Sequence, residues 1–72
     1  MKMKFQYTEH AKEQIQERRI EKIWVEETIN FPDITKNDGH KYYVIKKLNG
    51  KTLKVIFVKE RYIKIITCYF IK

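Results

Sequence analysis

Seventy-two residues, with 16 Lys and Arg against nine Asp and Glu, make one small domain over residues 1–72 with a net charge of +7. A chain this short buries only about 60% of its unfolded surface, so its core is thin. The single cysteine, Cys68, excludes an internal disulfide and fits a reducing cytosol; the short apolar runs exclude a membrane-spanning helix, and MKMKFQYTEH has no apolar signal-peptide core. The expected location is cytoplasmic, with no membrane partner.

From Met1 to Tyr7 the chain alternates, Met1, Met3, Phe5 and Tyr7 against Lys2, Lys4 and Gln6, which predicts a short strand at a sheet edge. Thr8 reads as a helix N-cap, and Glu9 suits the first turn. The first helix is expected over Glu9–Arg18. Its apolar stripe, Ala11 and Ile15, is narrow, so the helix needs a packing partner. Ile20 interrupts a polar stretch and is expected to plug the core between two helices. The second helix, Glu21–Asn30, turns Trp24, Val25, Thr28 and Ile29 inward. Pro32 ends it, because the residue before proline is pushed out of helical geometry.

A short extended piece, Ile34–Lys36, and a turn at Asn37-Asp38-Gly39 lead to a strand over His40–Leu48. Asn49-Gly50 predicts a type I′ hairpin turn. Its two-residue loop pairs Leu48 with Lys51, Lys46 with Leu53, Val44 with Val55 and Tyr42 with Phe57. Tyr42, Val44, Leu53, Val55 and Phe57 then share one face. A three-residue loop at Lys59–Arg61 is expected to set Phe57 opposite Ile63 and Val55 opposite Ile65, with Thr67 and Tyr69 continuing that face. A two-residue loop at Glu60-Arg61 would turn the last strand over.

The other face then holds Tyr43, Ile45, Ile56, Val58, Ile66, Cys68 and Phe70, mixed with lysines. It is too apolar to be wholly wet, so it is expected to bind a partner, a second copy or a small protein being the simplest. The fold class is α+β: a short N-terminal strand and a two-helix hairpin packed on one face of a sheet of three or four antiparallel strands.

The charge recruits polyanions such as RNA. The lysines equally serve to solubilise a small sheet and blunt its edges. Five tyrosines lie among these lysines. Tyrosine beside lysine suits base stacking beside phosphate neutralisation, although strand tyrosines also pack. His10 and His40 stand far apart and one cysteine adds no ligand spacing, so no metal site is expected. Two glycines cannot build a phosphate cradle, so no cofactor is expected either.

What remains is general acid–base chemistry, which suffices for cleaving an RNA phosphodiester. His10 falls in the first turn of a helix, where outward-pointing N–H groups attract a phosphate; it can equally pack or cap. Arg18 and Arg19 close that helix, where cations complement the dipole. Tyr69 can donate a proton, stack a base or pack. Cys68 lacks a basic neighbour, so no reactive thiol is expected.

The run His10-Ala11-Lys12-Glu13-Gln14-Ile15-Gln16-Glu17-Arg18-Arg19-Ile20 is followed by Asn30-Phe31-Pro32-Asp33, Gly50-Lys51-Thr52-Leu53-Lys54-Val55 and Thr67-Cys68-Tyr69. In this order the motifs, spanning roughly Tyr7 to Phe70, resemble a family of small prokaryotic domains grouped with the RelE, barnase and colicin-type ribonucleases. That resemblance implies a RelE-like fold and a metal-independent endoribonuclease toxin, acting on RNA free or on the ribosome and neutralised by an acidic protein antitoxin. His10, Arg18, Thr67 and Tyr69 match the family's polar positions, and Lys51 stands where the family often has arginine. On this reading His10, Arg18 and Tyr69 are catalytic, while Arg19, Lys51, Lys54, Thr67 and Tyr43 contact RNA. Two positions depart from the family. Gln14 replaces its first arginine, and Arg19 replaces a glycine, at a cost of about 1 kcal/mol if the backbone there is left-handed. The rival expectation is a non-catalytic nucleic-acid-binding or protein-interaction module of the same fold.

Overall fold

The computed structural model describes residues 4–71. Its elements in chain order are β1 (Phe5–Tyr7), α1 (Glu9–Arg18), α2 (Lys22–Asn30), β2 (Ile34–Asp38), β3 (Lys41–Leu48), β4 (Lys51–Lys59) and β5 (Ile63–Ile71). The fold is α+β, with both helices packed on one face of the sheet. The sheet is larger than expected: five strands in the order β1-β5-β4-β3-β2. It is also mixed, because β1 runs parallel to β5, pairing Phe5 with Ile63 and Tyr7 with Ile65. β1 does lie at an edge. The expected strand's first three residues fall outside the described residues.

Helix α1 occupies the expected residues. Thr8 takes extended backbone angles and its hydroxyl accepts from the Ala11 N–H at 3.1 Å, closing one of the orphan donors of the first turn. The same hydroxyl donates to the Ile66 carbonyl at 3.0 Å, while the Thr8 N–H donates to Ile65. One residue thus caps the helix and ties its start to β5.

The other end of α1 closes on Arg19, at φ 54° and ψ 44°. The N–H groups of Arg19 and Ile20 both reach the Ile15 carbonyl, and Ile20 tucks into the core, 3% exposed. This pattern is a Schellman stop, which glycine fits best because a Cβ is strained in left-handed geometry. Arg19→Gly is therefore expected to stabilise the protein by about 1 kcal/mol, raising Tm by about 4–8 °C in a domain of this size. A thermal melt checks it; an unchanged Tm would mean that the Arg19 backbone carries no strain.

Helix α2 begins one residue later than expected, and Glu21 precedes it without a side-chain cap. Val25 and Thr28 are fully buried. The Thr28 hydroxyl donates to the Trp24 carbonyl at 2.8 Å, which satisfies it inside the core.

The β3–β4 hairpin has the expected register, from Leu48 opposite Lys51 to Tyr42 opposite Phe57. Its turn differs from the expected type. Only Gly50 takes positive φ, at 80°, whereas type I′ needs it at both loop positions. The segment after Pro32 is a full strand, β2, joined to β3 through Gly39-His40, with Gly39 at φ 64°. The β4–β5 loop spans residues 60–62 rather than 59–61, so Lys59 pairs with Ile63 and Phe57 with Ile65.

A bulge then changes the phase of β5. Ile56 pairs with Thr67 while Phe57 pairs with Ile65, leaving Ile66 as the extra residue. Beyond it, Cys68 lies opposite Val55 and Phe70 opposite Leu53. Cys68 and Phe70 therefore face the helices, and Thr67 and Tyr69 the open side, the reverse of the expectation. The core is Ala11, Ile20, Val25, Val44, Leu53, Val55, Phe57, Ile63, Ile65 and Cys68, sealed by both helices.

Candidate nucleic-acid interface

The face of the sheet away from the helices is built by alternation along each strand, shifted once by the bulge at Ile66 in β5. Three rows of directly paired residues cross it: Asp38, Lys41, Val58, Lys64 and Gln6; Lys36, Tyr43, Ile56 and Thr67; Ile34, Ile45, Lys54 and Tyr69. Lys47, Thr52 and Ile71 close one end. Lysines at positions 36, 41, 47, 54 and 64 thus share this face with one carboxylate, Asp38.

Three of the expected site residues meet at its centre. The Lys54 ammonium lies 5.6 Å from the centroid of the Tyr43 ring and 5.9 Å from that of Tyr69. Both distances suit attraction between a cation and the negative face of an aromatic ring. All three side chains are half-buried and project from neighbouring strands, β3, β4 and β5. The fourth, Thr67, lies one row away on the same face, beside the bulge. A cation between two aromatic faces can neutralise a phosphate while the rings receive the flanking bases.

The other expected residues lie elsewhere. His10 and Arg18 sit on α1 eight positions apart, about 12 Å along the axis at 1.5 Å per residue. His10 is exposed, two positions beyond the Thr8 anchor on β5. The Arg18 Nε donates to the Gln14 side-chain oxygen at 2.6 Å. Gln14 thus engages the arginine one turn further along α1. Arg19 is the exposed left-handed cap. Lys51 is on the helix side of the sheet, with its ammonium 5.0 Å from the centroid of Phe70.

Two ionisable groups, buried Cys68 and half-buried Tyr7, belong to the frame. Burial pushes the Cys68 thiol up to about 11, so it stays protonated and unreactive at neutral pH. Burial also raises the Tyr7 phenol well above its ordinary value, helped by the neighbouring Glu26 carboxylate, to which its hydroxyl donates at 3.4 Å. Among the described residues no group of three His, Cys, Asp or Glu side chains could hold a metal, and no helix is long and apolar enough to cross a membrane.

Sequence reasoning missed how Thr67 and Tyr69 join Tyr43 and Lys54, because the bulge in β5 has no glycine, proline or asparagine to mark it. It also gave no weight to Lys36, Lys41 and Lys64 individually. The Asn49-Gly50 register would have placed Lys41 and Lys47 beside Tyr43.

Compared with known proteins, the chain matches over residues 7–70 the family described as a domain of unknown function (DUF4258). No curated protein and no solved structure matches it.

Proposed function

We propose that this chain, which belongs to the DUF4258 family, takes single-stranded RNA across the open face of its sheet and cleaves it without a metal, as the toxin of a toxin–antitoxin pair. The observation that carries the RNA half is Lys54 between the rings of Tyr43 and Tyr69, on a face with five lysines and one aspartate. Stacking each base contributes about 1–3 kcal/mol, and every lysine that meets a phosphate releases a counterion. The same lysines disfavour a homodimer through this face, since two copies would oppose like charges. They favour an acidic protein, the antitoxin of this reading, as the cover.

The cleavage half rests on the resemblance to RelE-like ribonucleases and on the type of groups present. Lys54 can stabilise the extra negative charge of the crowded phosphate, and Tyr69 can protonate the leaving oxygen. The resemblance assigns the base to His10, which lies on α1 on the helix side of the sheet, so RNA on the open face reaches it only by passing around the β1 edge.

The test is cleavage of a labelled RNA by purified protein in EDTA, with and without ribosomes. Cleavage that falls at least 100-fold in Tyr69→Phe and in His10→Ala supports the assignment. Cleavage at the wild-type rate in both variants would remove those residues from the mechanism.

A second reading, RNA binding without cleavage, is favoured by one observation. Gln14, one turn after His10, stands where the resembled family carries an arginine, so the helix offers a neutral amide there, which accepts from the Arg18 Nε at 2.6 Å. RNA binding without any cleavage, and no growth arrest on expression, would favour it.

A further inference from the structure

A recess of about 260 Å³ lies on the helix side of the sheet, at the end carrying the β3–β4 turn. Trp24, Glu27, Leu48, Asn49, Lys51 and Phe70 line it. Its volume is just below the roughly 300–1,000 Å³ of sites for drug-sized ligands, which suits a single flat ring system. The Trp24 and Phe70 rings stand 6.2 Å apart at 59°, making a corner rather than a parallel slot. A planar base can stack on one ring and set its edge against the other. The Lys51 ammonium stands over Phe70, free to take an anion at the mouth. Among the described residues neither Lys51 nor Glu27 has an ion-pair partner.

The polar groups discriminate among bases. A carboxylate offers two acceptor oxygens side by side and no donor. Of the four RNA bases only guanine presents two adjacent N–H donors on its pairing edge, at N1 and N2. Asn49, with both donors and an acceptor, can meet a second edge. We infer that this recess is a nucleotide subsite that stacks one guanine base against Trp24, reads it with Glu27 and holds its phosphate with Lys51.

The subsite rests on the RNA-binding reading and extends it around the end of the sheet. Lys51 precedes Lys54 on β4 by three residues, about 10 Å at 3.3–3.4 Å each. The two side chains project to opposite faces, so a strand lying on Tyr43 and Tyr69 can pass the end of the sheet at Thr52 and place one base in the recess.

Trp24 is the single tryptophan of the chain, so its fluorescence reports on the recess directly. Titrations with GMP, AMP, CMP and UMP are expected to give saturable quenching strongest for GMP, and weaker for guanosine, which lacks the phosphate. Glu27→Gln should weaken GMP about tenfold, towards the AMP value, because the side chain then offers a donor where guanine needs an acceptor. Lys51→Ala should bring GMP down to the guanosine level. Both positions are exposed, so the variants should melt like the parent.

Quenching that never saturates, that is equal for all four nucleotides, or that is unchanged in both variants would overturn the subsite. RNA oligonucleotide anisotropy run in parallel separates the two ideas. If nucleotides fail in the recess while Tyr69→Leu still weakens RNA, the subsite falls and the open-face reading stands. If neither holds, both fall.

Discussion

Replacing Tyr43 and Tyr69 together by leucine is expected to lower the affinity for a short single-stranded RNA about 100-fold, and each replacement alone about tenfold, as read by fluorescence anisotropy. The two rings flank Lys54 at 5.6 and 5.9 Å, and each offers a face to a base. Leucine keeps apolar bulk on the sheet but removes the π face. Tyr→Phe at either position keeps the face, so binding should stay within about twofold there, which separates stacking from hydroxyl chemistry. Lys54→Ala should also reduce the slope of log affinity against log salt by about 0.7, the value for one phosphate contact on a single strand. Undiminished affinity in the double leucine variant would mean that RNA, if bound, lies elsewhere.

Leu53→Ala is expected to cost about 2–5 kcal/mol and lower Tm by more than about 10 °C. Leu53 is fully buried on β4, a strand paired on both sides, and sits opposite Phe70 beneath the helices. At about 0.05–0.15 kcal/mol per residue, the total stability of a domain this size is only about 4–11 kcal/mol, so the loss is a large fraction of it. Ile23→Ala supplies the contrast. Ile23 is 65% exposed on α2, and its truncation should change stability by less than about 0.5 kcal/mol. Similar melting shifts for the two variants would refute the core described above.

The parts of this fold legible in the sequence are those set by neighbours. Thr8 announces the start of α1 because a hydroxyl at that position closes a local donor. Asn49-Gly50 sets the register of β3 against β4 because a two-residue loop leaves one way to pair, even though the turn itself is not of the expected type. The parallel pairing of β1 with β5 was invisible because it joins distant segments and no local chemistry encodes it. Strand β2, exposed throughout and polar after Ile34, has no apolar alternation to show that the extended piece at Ile34–Lys36 joins the sheet.

The open face was legible only up to the bulge. Alternation from the hairpin places Tyr43, Ile45, Lys54 and Ile56 together, as the structure does. Carried unbroken through Ile63–Tyr69, the same alternation sends Thr67 and Tyr69 to the wrong side and Cys68 to solvent. One unpaired residue, Ile66, restores Cys68 to the core and brings Tyr69 to Lys54. Burial explains why such a bulge persists. It keeps Ile63, Ile65, Cys68 and Phe70 all on the apolar side, where a regular strand would expose two of them.

The seam between β1 and β5 also bears on how the molecule comes to exist. Thr8 and Ile66, joined by a hydrogen bond, are 58 positions apart in the chain. β5 lies between β1 and β4, so the sheet cannot close until the last-made strand has arrived. Local contacts can form α1 and the β3–β4 hairpin early, and that hairpin seats α2, but α1 lacks most of its seat before β5 docks. Such non-local closure slows folding, because the entropy of a long loop is lost before any contact rewards it. During synthesis the nascent chain therefore holds no finished interface. Tyr69 comes to stand beside Lys54 only after residues 63–71 have left the ribosome and docked, so any property of the open face that needs both side chains appears last.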